Sequence, residues 1–155
     1  MKYSIVQFMT RITVIQILQD ENLDYNTILS SNSSFLNAHG VEYIVWDNLN
    51  SFNALEIAKK LPFVKYVRKY FKDTKSSFLE SAELSNGQDI LFLKSSDMLT
   101  YENLKTLEVE RPSINRSEIG KLERLKWENF KFADFSMLMK SKKTFLERLK
   151  IFFRY

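Results

Sequence analysis

Two aspartates in this chain stand where acid chemistry is commonly built. Asp47 closes the β-rich run "VEYIVWD", and Asp97 follows the apolar run Ile90–Leu93. Carboxylates at neighbouring strand ends can hold Mg²⁺ between them and polarise a phosphate, as in many phosphoryl-transfer and nuclease sites. Their spacing is not diagnostic, and each is equally placed to cap a helix that follows. A carboxylate two residues before Lys94 would strengthen a nuclease reading, but that position is Phe92. Asp47 and Asp97 are catalytic candidates on position alone, and a metal-dependent nuclease or phosphodiesterase ranks third among the functional readings.

Other routes to catalysis are thin. His39 is the single histidine, and its place before Gly40 reads as a helix terminus with no nucleophile beside it. The absence of cysteine removes disulfides, thiol chemistry and thiolate metal ligands. Three glycines, Gly40, Gly87 and Gly120, are too few and too scattered for a phosphate-cradling loop. No zinc spacing and no nucleophile elbow occur. The sequence therefore implies no cofactor and no metal, and points to binding rather than chemistry.

Binding candidates are cationic and aromatic. In "LPFVKYVRKYFK", Leu61–Lys72, each face of a strand would mix apolar and charged residues. Wound as a helix, the segment places Phe63, Tyr66, Val67, Tyr70 and Phe71 together and Lys65, Arg68, Lys69 and Lys72 opposite them. The spacing predicts an amphipathic helix with a basic back. Tyr66, Tyr70 and, further on, Trp127 are aromatic anchors for a partner. The cations could instead merely solvate a surface helix, or track phosphates while the tyrosines stack on bases.

Charge is unevenly spread. Residues 111–155 hold twelve Lys/Arg against five Asp/Glu, whereas residues 1–110 hold eleven against fourteen. Within the basic third, Lys142, Lys143 and Arg148 flank Phe145, Leu146, Leu149, Phe152 and Phe153, which keep the spacing of a helical packing face. This C-terminal arm is the second candidate contact surface, able to cover its own core or to enter a partner's groove.

The elements that must position these residues come from pattern and punctuation. Ile5, Phe8, Met9, Ile12 and Ile15 keep helical spacing, so residues 10–20 are read as helix, although Val6, Val14 and Ile17 suit a strand. A short helix ends at "NAHG", where Gly40 can take the left-handed capping conformation. Val41–Trp46 reads as a strand, and Ser51 caps the helix after it. Asn86–Gly87, between "SFLESAEL" and "QDILFLKS", reads as the tight turn of a hairpin over 77–94. A helix capped by Thr100 follows, then helices from about 118 to 131, capped by Ser117, and from about 135 to 154.

With 155 residues, 45% of them hydrophobic and 27% charged, the chain suits one globular domain with its own core. The expected fold is α+β: a small mixed or antiparallel sheet including the 77–94 hairpin, several helices, and a C-terminal helical arm or hairpin over 113–155. No apolar run is long enough to span a membrane. Arg11 interrupts the N-terminal apolar run, and no small-residue cleavage site follows, so a cytoplasmic location is expected. No resemblance to a known family rises above these patterns. The leading expectation is a non-enzymatic interaction protein that meets an acidic protein surface through the basic helix and the arm. Nucleic-acid binding through the same cations is the alternative.

Overall fold

A computed structural model describes residues 12–49, 52–71, 74–100, 102–103, 111 and 113–120. Five strands form one mixed sheet: β1 (Ile12–Leu18), β2 (Glu42–Asp47), β3 (Val64–Arg68), β4 (Asp89–Leu93) and β5 (Ser113–Asn115). Three helices accompany them: α1 (Tyr25–Ala38), α2 (Phe52–Ala58) and α3 (Thr74–Leu84). The strand order is β3-β2-β1-β4-β5. The first four strands run parallel, and β5 joins β4 antiparallel.

Alternation along the strands splits the apolar side chains between two layers. Val14, Tyr43, Val45, Leu91 and Leu93 pack with Tyr25, Leu29 and Leu36 of α1 and with Ala54 and Ile57 of α2. Ile15, Ile17, Ile44, Trp46, Ile90, Phe92 and Ile114 pack with Phe78 and Ala82 of α3. Helices therefore cover both faces. The Phe78 and Phe92 rings meet at 4.4 Å between centroids.

The mixed sheet with several helices matches the expected composition, but its wiring does not. Residues 12–18 are a strand, not a helix. Every side chain of β1 is buried, and a strand covered on both faces shows no polar alternation to betray it. The 77–94 hairpin is replaced by helix α3 and by β4, which pairs parallel with β1 (Ile12 opposite Asp89, Gln16 opposite Leu93). The predicted basic helix is strand β3, paired with β2 from Tyr43 opposite Val64 to Asp47 opposite Arg68. Residues 113–115 are a strand, and Asn115 caps the 3₁₀ turn Arg116–Glu118 by accepting from Ser117 N at 3.1 Å, so Ser117 is the capped residue and not the cap.

The strand at 42–47 and the helix after residue 51 stand as expected, and so does the helix ending at "NAHG". Asp24 caps α1, accepting from Thr27 N at 3.3 Å and Thr27 Oγ1 at 2.6 Å. Gly40 leaves that helix with φ 64°, the left-handed turn expected of it. The helices expected beyond residue 120, and most of the one after Thr100, lie outside the described residues.

Asn86–Gly87 is not a hairpin turn but part of the irregular link from α3 into the parallel strand β4. Glu42 accepts from Thr13 Oγ1 at 2.5 Å and from Asn86 N and Nδ2 at 2.8 and 2.7 Å. Gly87 N in turn donates to Thr13 Oγ1 at 2.9 Å. A Cβ at position 87 would sit 2.6 Å from Thr13 N and 2.8 Å from Ile12 C, both backbone atoms in the middle of the sheet. Gly87→Ala is therefore expected to cost about 2–3 kcal/mol in urea unfolding, because the backbone of the central strand β1 cannot yield.

Candidate functional site at the carboxyl edge of the sheet

From β1 the chain runs to β2 and β3 on one side, and it returns to place β4 and β5 on the other. The segments leaving β1 and β4 at their carboxyl ends, the turn into α1 and the 94–99 loop, meet beside β1, where Asn32 of α1 bonds Asp97 O and Leu99 N. In open parallel sheets ligands lodge at such a reversal. Both sequence-predicted carboxylates lie along this edge, Asp47 at the end of β2 and Asp97 four residues past β4.

Each is already engaged. Asp47 is fully buried; its carboxylate accepts from Tyr66 OH and, at 2.9 Å, from Leu49 N. Asp97 is 6% exposed, and Arg111 grips it with Nε at 2.5 Å and a second guanidinium nitrogen at 2.7 Å. Lys94 N adds a third donor to Asp97 at 2.7 Å. Among the described residues no group of three or more His, Asp or Glu side chains is placed to hold a metal ion. The pair therefore serves its own loops in this arrangement. His39 Nδ1 lies 2.8 Å from Phe35 O, one turn back in α1, and its ring rests on Phe35.

A buried amide shapes the edge. Gln16 of β1 donates from Nε2 to the carbonyls of Lys94 (2.9 Å), Ser95 (3.2 Å) and Asp97 (3.1 Å). Its Oε1 accepts from Asn32 Nδ2 at 2.9 Å and from Tyr43 OH. Asn32 also donates to Asp97 O at 2.9 Å and accepts from Leu99 N at 2.8 Å. Ser95 Oγ bridges from Gln19 N (2.6 Å) to Ile17 O (3.1 Å). Every polar end finds a partner, so the 94–99 loop is held rigidly against the end of β1. Gln19, Asp20, Glu21, Asn22 and Asp24 are exposed in the turn into α1, and in the tethered loop Lys94 is half-buried and Ser96 exposed.

Sequence reasoning missed Gln16, Asn32, Tyr43 and Arg111. One signal was there: a lone amide inside "ITVIQIL" must be satisfied if the strand is buried, which implies polar neighbours from elsewhere in the chain.

The predicted basic surface is redistributed. On β3, Lys65 Nζ donates to Leu84 O at 3.0 Å. Lys69, just past the strand, pairs with Glu80 at 2.6 Å, and its ammonium lies 4.8 Å from the Phe71 ring centroid. Both lean onto α3. Arg68 is exposed on the strand's other face, so the cations do not form one stripe. Tyr66 is half-buried and committed to Asp47, whereas Tyr70 is 67% exposed. Lys72, Trp127, Lys142, Lys143 and Arg148 lie outside the described residues.

Burial raises the pKa of Tyr25, Tyr43 and Tyr66, and in Tyr66 the neighbouring Asp47 carboxylate adds to it. The unfolded tyrosine loses its proton near 10.0, while the folded form keeps it. Their contribution to stability is thus complete below pH 10 and is lost as pH rises above it. Unfolding free energy should fall from about pH 10 upward, and Tyr66→Phe should fall less steeply. Parallel slopes in urea titrations would contradict this.

No family model matches the chain. No curated protein matches it either. Among solved structures, residues 1–349 of TarS from S. aureus are similar at 21% identity and a TM-score of 0.48, over 62% of this chain and 30% of that one. A longer TarS structure is similar at 21% identity and a TM-score of 0.45, over 62% of this chain. The chain spans 18% of that longer structure.

Proposed function

We propose that this chain is a small-molecule binding domain whose ligand sits outside the carboxyl ends of β1 and β4. The supporting observation is the sheet reversal between these two strands, with an exposed polar turn on one lip and a rigidly tethered loop on the other. Ligand class follows from the side chains. The turn at 19–24 contains no glycine, so its backbone is not shaped to cradle a pyrophosphate. Asp20 and Glu21 disfavour a bare anion but accept well from hydroxyl groups, while Asp24 is committed to capping α1. A polyhydroxylated ligand, a sugar or a nucleoside, suits this lip, and Ser96 is exposed on the neighbouring loop.

The test is thermal unfolding of the full chain with a panel of free sugars and nucleosides at millimolar concentration, with and without Mg²⁺. A ligand at a hundred times its Kd stabilises by about 2.7 kcal/mol, a readable shift in Tm. That shift should vanish in Asp20→Lys and Ser96→Trp, whose ligand-free Tm stays near native because both sites are exposed. No stabilisation by any member of the panel would sink the reading.

A further inference from the structure

The asparagine–glycine pair in the link from α3 to β4 carries an inference independent of the ligand site. An asparagine followed by glycine is open to spontaneous deamidation, because no side chain on the second residue hinders attack by its backbone nitrogen. In that reaction the Gly87 nitrogen attacks Asn86 Cγ, the bond from Cγ to Nδ2 breaks, and ammonia leaves with the amide proton. Solvent water then opens the five-membered imide to aspartate or isoaspartate. Each group that must move is held here. Asn86 is exposed, yet its Nδ2 donates to Glu42 Oε1 at 2.7 Å and its backbone N to Oε2 at 2.8 Å. Gly87 is buried, and its N, the attacking atom, donates to Thr13 Oγ1 at 2.9 Å. Thr13 Oγ1 donates onward to Glu42 Oε2 at 2.5 Å, so one carboxylate anchors the whole cluster. Even a methyl group on Gly87 would meet Thr13 N at 2.6 Å, so β1 leaves the link no room to swing inward.

We propose that Asn86 is a deamidation site held closed by Glu42 and Thr13, so that its modification marks chains in which the α3–β4 link has opened. The change is irreversible and reinforces itself. A carboxylate at position 86 has no amide to offer Glu42 and meets its charge instead. The tie between the start of β2 and the entry to β4 is then lost, and the link opens more readily.

The test incubates the full chain at mildly alkaline pH and follows residue 86 by peptide mass mapping, with isoaspartate counted separately. Asn86 should react at least about tenfold more slowly in the native chain than in the same chain unfolded in urea, the factor being set by how rarely the link opens. Glu42→Ala and Thr13→Val should each speed the reaction several-fold. Their reference is the native chain brought by dilute urea to each variant's stability, which separates a lost restraint from a lost fold. Asn86→Asp should lower the urea midpoint, and Glu42→Gln/Asn86→Asp should recover part of that loss. Native chain reacting as fast as unfolded chain or faster, or variants no faster than their reference, would overturn the lock. An unchanged midpoint in Asn86→Asp would overturn the self-reinforcing step.

Discussion

Gln16→Ala is expected to lower the unfolding free energy by about 4 kcal/mol, among the largest losses available to a single substitution in this chain. One side chain there satisfies five groups: three carbonyls of the 94–97 loop, the Asn32 amide and the Tyr43 hydroxyl. Removing it leaves several of them buried in a low-dielectric core, where an unmet polar group costs about 1–3 kcal/mol. Gln16→Leu would fill the space and leave the same groups unmet, so it should recover little. Gln16→Glu should be worse than either at neutral pH, because a carboxylate would face three carbonyl oxygens. Urea unfolding measures all three. A loss under about 1 kcal/mol in Gln16→Ala would mean that water enters and replaces the amide.

Arg111→Met should cost about 3–4 kcal/mol, mostly through the partner it abandons. The Asp97 side chain is only 5% exposed and the Arg111 side chain 12%, so the carboxyl group would be left buried with Lys94 N as its one remaining donor among those described. Neutralising the acid as well, in Asp97→Asn/Arg111→Met, should recover about 1–2 kcal/mol. A double variant no more stable than Arg111→Met would place the loss in packing of the arginine stem instead. Arg111 enters just ahead of β5, so the pair also fastens the antiparallel edge to the loop after β4.

Legibility in the sequence followed burial. The strand at 42–47 was readable because its β-branched and aromatic run is bounded by a left-handed glycine and by Asp47. Gly40 sits just past the end of α1, so the punctuation there was readable too, whereas the Asp24 cap at its start was not singled out and the cap expected at Ser51 lies outside the described residues. β1 was not, because a strand buried on both faces carries apolar residues at every spacing, helical ones included. β3 misled for the opposite reason. Val64 and Tyr66 face one layer and Val67 the other, while its long cations fold back over α3 and hide the pleat. Helix α3 looked extended because its buried face is small: Ser77, Phe78, Ser81 and Ala82 let it lie close to the sheet. The two aspartates follow β2 and β4 along one edge of the sheet, but no local pattern announces Arg111 or Tyr66, which arrive from distant segments to occupy them.

The sheet order has a consequence for synthesis. β1 is central, yet one of its two neighbours, β4, is made only after β2 and β3 have followed it. At roughly 5–20 residues per second, β1 waits for several seconds with one edge unpaired from Ile12 to Leu18, a largely apolar run whose Gln16 still lacks its loop partners. During that interval it is the segment of the emerging polypeptide best suited to a chaperone, or to mispairing with another nascent copy. Slowing translation between residues 50 and 90 should therefore reduce the soluble yield without altering the stability of the molecules that complete folding.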